Sequence, residues 1–133
     1  MRPALVVLAL ALLGCPKQIG DSCSLSSDCS INADRICDLA QPGGYCTVPG
    51  CEANGCPSEA MCISFDAHAP RLRRRYCMLG CNGDADCREG YRCVPPDPVA
   101  CLQSPSAILP TGQSCNRIAD TSPTHAGWCV RAQ

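Results

Sequence analysis

The residues with most chemistry to offer are fifteen cysteines in a chain of 133. Thiols at this density serve a metal, a redox step or a set of disulfides. Zinc thiolates usually come as two knuckles with about two to four residues between ligands. Here no C-x-x-C occurs, and the nearest spacings are Cys77-x3-Cys81, Cys46-x4-Cys51 and Cys51-x4-Cys56. The same absence removes the usual thiol-oxidoreductase signature. In an oxidising compartment neighbouring thiols become disulfides, so the expectation is a disulfide framework with no metal and no cofactor.

Other reactive side chains are sparse. Ser114, His125 and Asp120 supply the residue types of a hydrolase triad, but the serine lacks a G-x-S-x-G elbow and residue types without geometry do not make a triad; His68 and His125 read as solvated loop histidines. Asn82, Asp84 and Asp86 alternate oxygen side chains as a calcium loop does. Position twelve counted from Asn82 is Cys93, where an EF-hand needs a bidentate Glu, so these three read as turn residues that bond their own backbone. The densest charge is Arg71-Leu72-Arg73-Arg74-Arg75. Residues 17–62 carry two basic and six acidic side chains, whereas 63–77 carry four basic and one acidic. Guanidinium groups at Arg71, Arg73, Arg74 and Arg75 suit phosphates, anionic glycans or acidic proteins; the plainer reading is a solvated loop, paired in part with the acidic first module.

The elements that position these groups begin with a targeting segment. Met1-Arg2-Pro3 gives one positive charge, and Ala4 to Leu13 is an unbroken apolar run of ten residues. That is a signal-peptide pattern, too short for a membrane span of about 20 residues. Leu12-Leu13-Gly14-Cys15 resembles the lipobox of bacterial lipoproteins. The resemblance implies diacylglyceryl attachment to the sulfur of Cys15, cleavage after Gly14 and acylation of the new amino group. Several acyl chains make a stable anchor, since each buried methylene contributes roughly 0.8 kcal/mol. Parity agrees: setting Cys15 aside leaves 14 cysteines, an even number that can all pair.

Composition says what those pairs must do. After cleavage 119 residues remain, and only 17 of them are Leu, Ile, Val or Phe. A core so thin cannot offset ordering costs alone, and a cysteine content above about 8–10% marks a disulfide scaffold. In the chain-entropy model a bridge closing a loop of about 15 residues contributes roughly 3 kcal/mol.

The cysteines repeat with a period of about thirty residues. Cys23, Cys29, Cys37 and Cys46 form a first set; Cys51, Cys56, Cys62 and Cys77 a second; Cys81, Cys87, Cys93 and Cys101 a third. Neighbours repeat too. Asp28-Cys29 answers Asp86-Cys87, Arg35-Ile36-Cys37 answers Tyr91-Arg92-Cys93, and Gly44-Tyr45-Cys46 answers Arg75-Tyr76-Cys77. In the tail, Gly112-Gln113-Ser114-Cys115 matches Gly20-Asp21-Ser22-Cys23, and Gly127-Trp128-Cys129 matches Gly44-Tyr45-Cys46. The tail thus reads as a partial module with an outer pair only. Four cysteines allow three connectivities, and spacing does not choose among them; an outer pair surviving alone in the tail favours a first-to-fourth bond.

The C-x5-C-x5-C pattern is similar to small cysteine-rich modules of the Dickkopf/colipase and EB type. That resemblance, over residues 20 to 101, implies crossed bridges: Cys23–Cys37 with Cys29–Cys46, Cys51–Cys62 with Cys56–Cys77, and Cys81–Cys93 with Cys87–Cys101, which leaves Cys115–Cys129. The expected organisation is a signal peptide (1–14), a lipidated tether (15–19), modules at 20–48, 49–79 and 80–103, a linker (104–111) and a two-cysteine partial module (112–133). The fold class is small and disulfide-rich, with sparse short β-hairpins and loops. Turn formers such as Pro42-Gly43-Gly44, Asn54-Gly55 and Asn82-Gly83-Asp84 interrupt the chain, and short strands are expected at 45–48, 60–65, 75–78 and 91–94.

No residue set satisfies the requirements of an active site. The leading expectation is therefore a non-enzymatic, lipid-anchored envelope protein whose modules bind a protein or an anionic polymer such as a glycan. Its membrane contact runs through the acyl chains on Cys15, and no specific nucleic acid is expected. A purely structural surface component is the alternative, and a hydrolase with an unrecognised site the third. Pro16 after the lipidated cysteine, where Asp favours inner-membrane retention in enterobacteria, points to the outer membrane in a Gram-negative host. Full reduction in non-denaturing buffer is expected to unfold the chain; circular dichroism and protease resistance that survive reduction would overturn the disulfide-scaffold reading.

Overall fold

The computed structural model describes residues 16–65, 74–96 and 116–132. Regular structure among these residues is sparse: one helical turn, α1 (Ser26–Cys29), and strands β1 (Ile36–Cys37), β2 (Cys46–Thr47), β3 (Ala60–Phe65), β4 (Arg74–Cys81), β5 (Tyr91–Val94), β6 (Arg117–Ile118) and β7 (Gly127–Arg131), with a 3-10 turn at Asp84–Asp86. β1 and β2 make a two-stranded sheet, and the rest form one five-stranded sheet in the order β5-β7-β4-β3-β6. This is a small disulfide-rich fold of sheet and loop. No helix among the described residues is long and apolar enough to cross a membrane.

Among the described residues six disulfides tie it together: Cys23–Cys37, Cys29–Cys46, Cys51–Cys62, Cys56–Cys77, Cys81–Cys93 and Cys87–Cys129. The last corrects the expectation. Cys87 bonds Cys129 and not Cys101, so Cys129 is not the partner of Cys115; Cys15, Cys101 and Cys115 lie outside the described residues. The reason is register. β7 inserts between β5 and β4, and Cys93 faces Cys129 directly across the β5–β7 pair. Cys37 faces Cys46 in the same way across β1–β2, and Cys62 faces Cys77 across β3–β4. Cys129 is thus the fourth cysteine of the third unit. Its Cα lies 5.6 Å from that of Cys87, within bridging range, despite a separation of 42 residues against 17 and 21 for the matching bonds.

The repeated sequence positions acquire physical roles in this frame. The Asp28 carboxylate accepts the backbone N–H groups of Ser24 and Leu25 at 2.8 and 3.0 Å, and the Asp86 carboxylate accepts those of Asn82 and Gly83 at 2.7 and 3.3 Å. Both hold the turn that delivers the second cysteine. The two N–H groups pull the Asp28 acid below the ordinary carboxylate range. The Gly-aromatic-Cys glycines are needed for close approach: a Cβ on Gly44, which has φ +69°, would lie 2.0 Å from the Cys23 carbonyl oxygen, and one on Gly127 would lie 2.1 Å from that of Val94.

The first unit has almost no core of its own, because its separate buried cluster consists of Cys23, Cys29 and Cys46 with Cys37 packed against them. The main core instead collects Ile19, Tyr45, Met61, Ile63, Met78, Tyr91 and Trp128 from all three units. Ile19 is fully buried, so packing begins inside the segment read as a tether. Arg88 joins the first unit to the third. Its guanidinium lies 4.3 Å from the Tyr91 ring centre and 5.7 Å from that of Tyr45, and Nη2 donates to the carbonyls of Pro42 and Gly44. Arg35 joins the first to the second by pairing with Glu59 at 3.5 Å, and it donates to the carbonyl of Lys17 in the segment before the first unit. Charge-assisted hydrogen bonds and a cation–π contact of this kind are together worth roughly 1–3 kcal/mol. Arg88→Met is therefore expected to lower the thermal midpoint and weaken the tyrosine near-ultraviolet dichroism; an unchanged midpoint would show that ring packing alone joins the units.

Candidate functional site

The seam between the first unit and the β3–β4 hairpin opens as a cleft of about 270 Å³. Asp38, Ala40, Gln41, Tyr45 and Thr47 line one wall; Phe65, Arg74, Tyr76 and Met78 line the other. The second wall follows from strand alternation. Residues 74, 76 and 78 of β4 share a face, and Phe65 stands directly opposite Arg74. Backbone bonds fix the first wall against it: Cys77 N–H donates to Val48 at 3.0 Å, Gly50 N–H to Arg75 at 2.7 Å, and the buried Thr47 hydroxyl to the Cys77 carbonyl at 2.7 Å.

The cleft is aromatic with a polar group at each side. The Phe65 and Tyr76 rings lie 6.1 Å apart, inclined at 60°, a tilted arrangement of the kind aromatic pairs favour. Tyr45 is almost wholly buried, and its hydroxyl accepts the Leu79 N–H at 2.9 Å. Burial raises its pKa well above the ordinary phenol value, so it stays neutral. Asp38 is half-buried and uses Oδ1 to accept the Ala40 N–H at 3.0 Å. Arg74 is exposed, and no hydrogen bond or ion pair engages its guanidinium among the described residues.

The arginine run divides. Arg74 faces the cleft, whereas Arg75 points to the opposite side of β4 and pairs with Glu52 at 3.5 Å. Arg71 and Arg73 lie outside the described residues. The other candidates are dispersed. Asp120 spends both carboxylate oxygens on backbone, accepting from Asn54 at 2.6 Å and Cys62 at 3.0 Å. His125 packs its ring onto Gly80, where a Cβ would meet Nδ1 at 2.3 Å, and contacts the Thr124 hydroxyl at 2.9 Å. Ser114 and His68 lie outside the described residues. In the acidic turn, Asn82 Oδ1 accepts from Ala126, Asp84 Oδ1 from Cys93, and Asp86 from Asn82 and Gly83. All three act on backbone donors.

Among the described residues three cysteine triplets bring their sulfurs within 4.8 Å: Cys23, Cys29 and Cys37; Cys51, Cys56 and Cys62; Cys81, Cys87 and Cys129. Each contains one whole bridge and one sulfur of the crossing bridge. The sulfurs are therefore spent on disulfides and offer no thiolate of the kind that ligates zinc.

Sequence reasoning singled out Arg74 but missed Asp38, Gln41 and Phe65 as its companions. The alternation Arg74, Tyr76, Met78 was readable once β4 was recognised as a strand. Nothing in the sequence tells that the loop after Cys37 folds against it. Comparison with protein-family models, curated proteins and solved structures gives no significant match.

Proposed function

We propose that this is a lipid-anchored, non-catalytic cell-envelope protein that binds an anionic polymer. Acyl chains on Cys15 hold it at the membrane, the outer one in a Gram-negative host, and the disulfide-stapled body displays the cleft. The observation that carries the reading is Arg74, a guanidinium without a partner among the described residues, at an aromatic cleft on a cross-linked frame. Such a frame is pre-organised, so little ordering entropy opposes binding. The sequence continues from Arg74 back through Arg73 and Arg71, and a run of cations suits a partner with repeating negative charge.

Exposed ion pairs are each worth roughly 0.2–1 kcal/mol. Replacing Arg71, Arg73 and Arg74 together with Ser should therefore weaken retention on an immobilised acidic polysaccharide by about tenfold at low salt. Arg75→Ser, which removes the partner of Glu52, should change it little. Equal retention of the triple variant and the parent, both shown folded by circular dichroism, would sink the anionic-polymer reading; loss of retention on an acidic protein column alone would transfer it to a protein partner.

A further inference from the structure

We infer that the cleft is a subsite for one carboxylated sugar ring, a uronate unit of an anionic glycan. The inference rests on the binding reading above and names its ligand. Size comes first. At about 270 Å³ the cleft is slightly smaller than typical small-molecule sites, which start at about 300 Å³. It suits a single ring and not a helix or a folded surface.

Charge then narrows the chemistry. Arg74 on one wall is matched by the Asp38 carboxylate and the Gln41 amide on the other. Asp38 spends Oδ1 on the Ala40 N–H, and its other oxygen has no partner among the described residues. Arg74 and Asp38 form no ion pair with each other. An occupant that satisfies both must present an anion to the guanidinium and hydrogen-bond donors to the carboxylate. A guanidinium takes a carboxylate through two parallel N–H bonds, while an ionised carboxylate only accepts. Polyphosphate has the anion but no donors, and its charge is repelled by Asp38. A neutral sugar has the donors but no anion. A uronate ring carries the carboxylate, several hydroxyl donors and an apolar C–H face. That face matches Phe65, Tyr76 and Met78.

The test uses the full chain and soluble probes: an oligogalacturonate, its methyl ester, polyphosphate and poly-glutamate, with binding followed by titration calorimetry. The expected result is that the oligogalacturonate binds, and that esterification or Arg74→Gln weakens it about tenfold. Asp38→Asn should weaken oligogalacturonate while strengthening polyphosphate, because it removes an acceptor and a repelling charge together. Near-ultraviolet dichroism of each variant, unchanged from the parent, shows that the cleft is intact. If Asp38→Asn strengthens every polyanion alike, or if polyphosphate or poly-glutamate binds as well as the uronate, the sugar assignment is overturned and the general anionic-polymer reading stands. If none of the four probes binds, both fail.

Discussion

Everything else in this molecule depends on a pair of cysteines standing side by side across an antiparallel pair of strands. Cys37 and Cys46, Cys62 and Cys77, and Cys93 and Cys129 are direct cross-strand partners. Residues so placed project to the same face of the sheet. Neither member bonds the other. The third cysteine of a unit bonds the first, the fourth bonds the second, and the loop between first and second is thereby stapled across the hairpin face. The crossed bridges stack, as the converging sulfurs of each unit record. A chain with so few large aliphatic residues folds because these closures reduce the freedom of the unfolded state.

The staples also explain how three thin units become one body. Each unit is too small to bury a core, and the first buries little more than its own sulfurs. The units therefore pool Ile19, Tyr45, Met61, Ile63 and Trp128 in one cluster. The five-stranded sheet takes β3 and β4 from the second unit, β5 and β7 from the third, and β6 from the segment that precedes β7. Arg88 and Arg35 fasten the first unit onto that sheet. The cleft is what remains open along the seam. Its walls are backbone-bonded on both sides, and this gives Arg74 and Asp38 fixed positions facing one space.

Much of this was legible in the residues. Cysteine density and a scarcity of aliphatic side chains pointed to the fold class. The β-favouring residues beside Cys62, Cys77 and Cys93 marked strands that exist. The third unit misled because Cys101 sits at the spacing a fourth cysteine should have, while the true one, Cys129, stands beyond a long insertion. The better clue was local chemistry and not distance. Gly127-Trp128-Cys129 repeats Gly44-Tyr45-Cys46, and both glycines occupy positions where a Cβ would collide with backbone. In the sequence the match looks like a remnant module, but in the fold it is the last strand of the third unit. The cleft was less legible still, since Asp38 and Arg74 are joined only by tertiary packing.

Cys129, bonded to Cys87, closes the third unit. Proteolysis without reduction, at a pH that suppresses exchange, followed by mass spectrometry of the linked peptides, tests it directly. The expected result is a peptide pair joining Cys87 to Cys129 beside one joining Cys81 to Cys93. Recovery of Cys87 linked to Cys101, with Cys115 linked to Cys129, would contradict it.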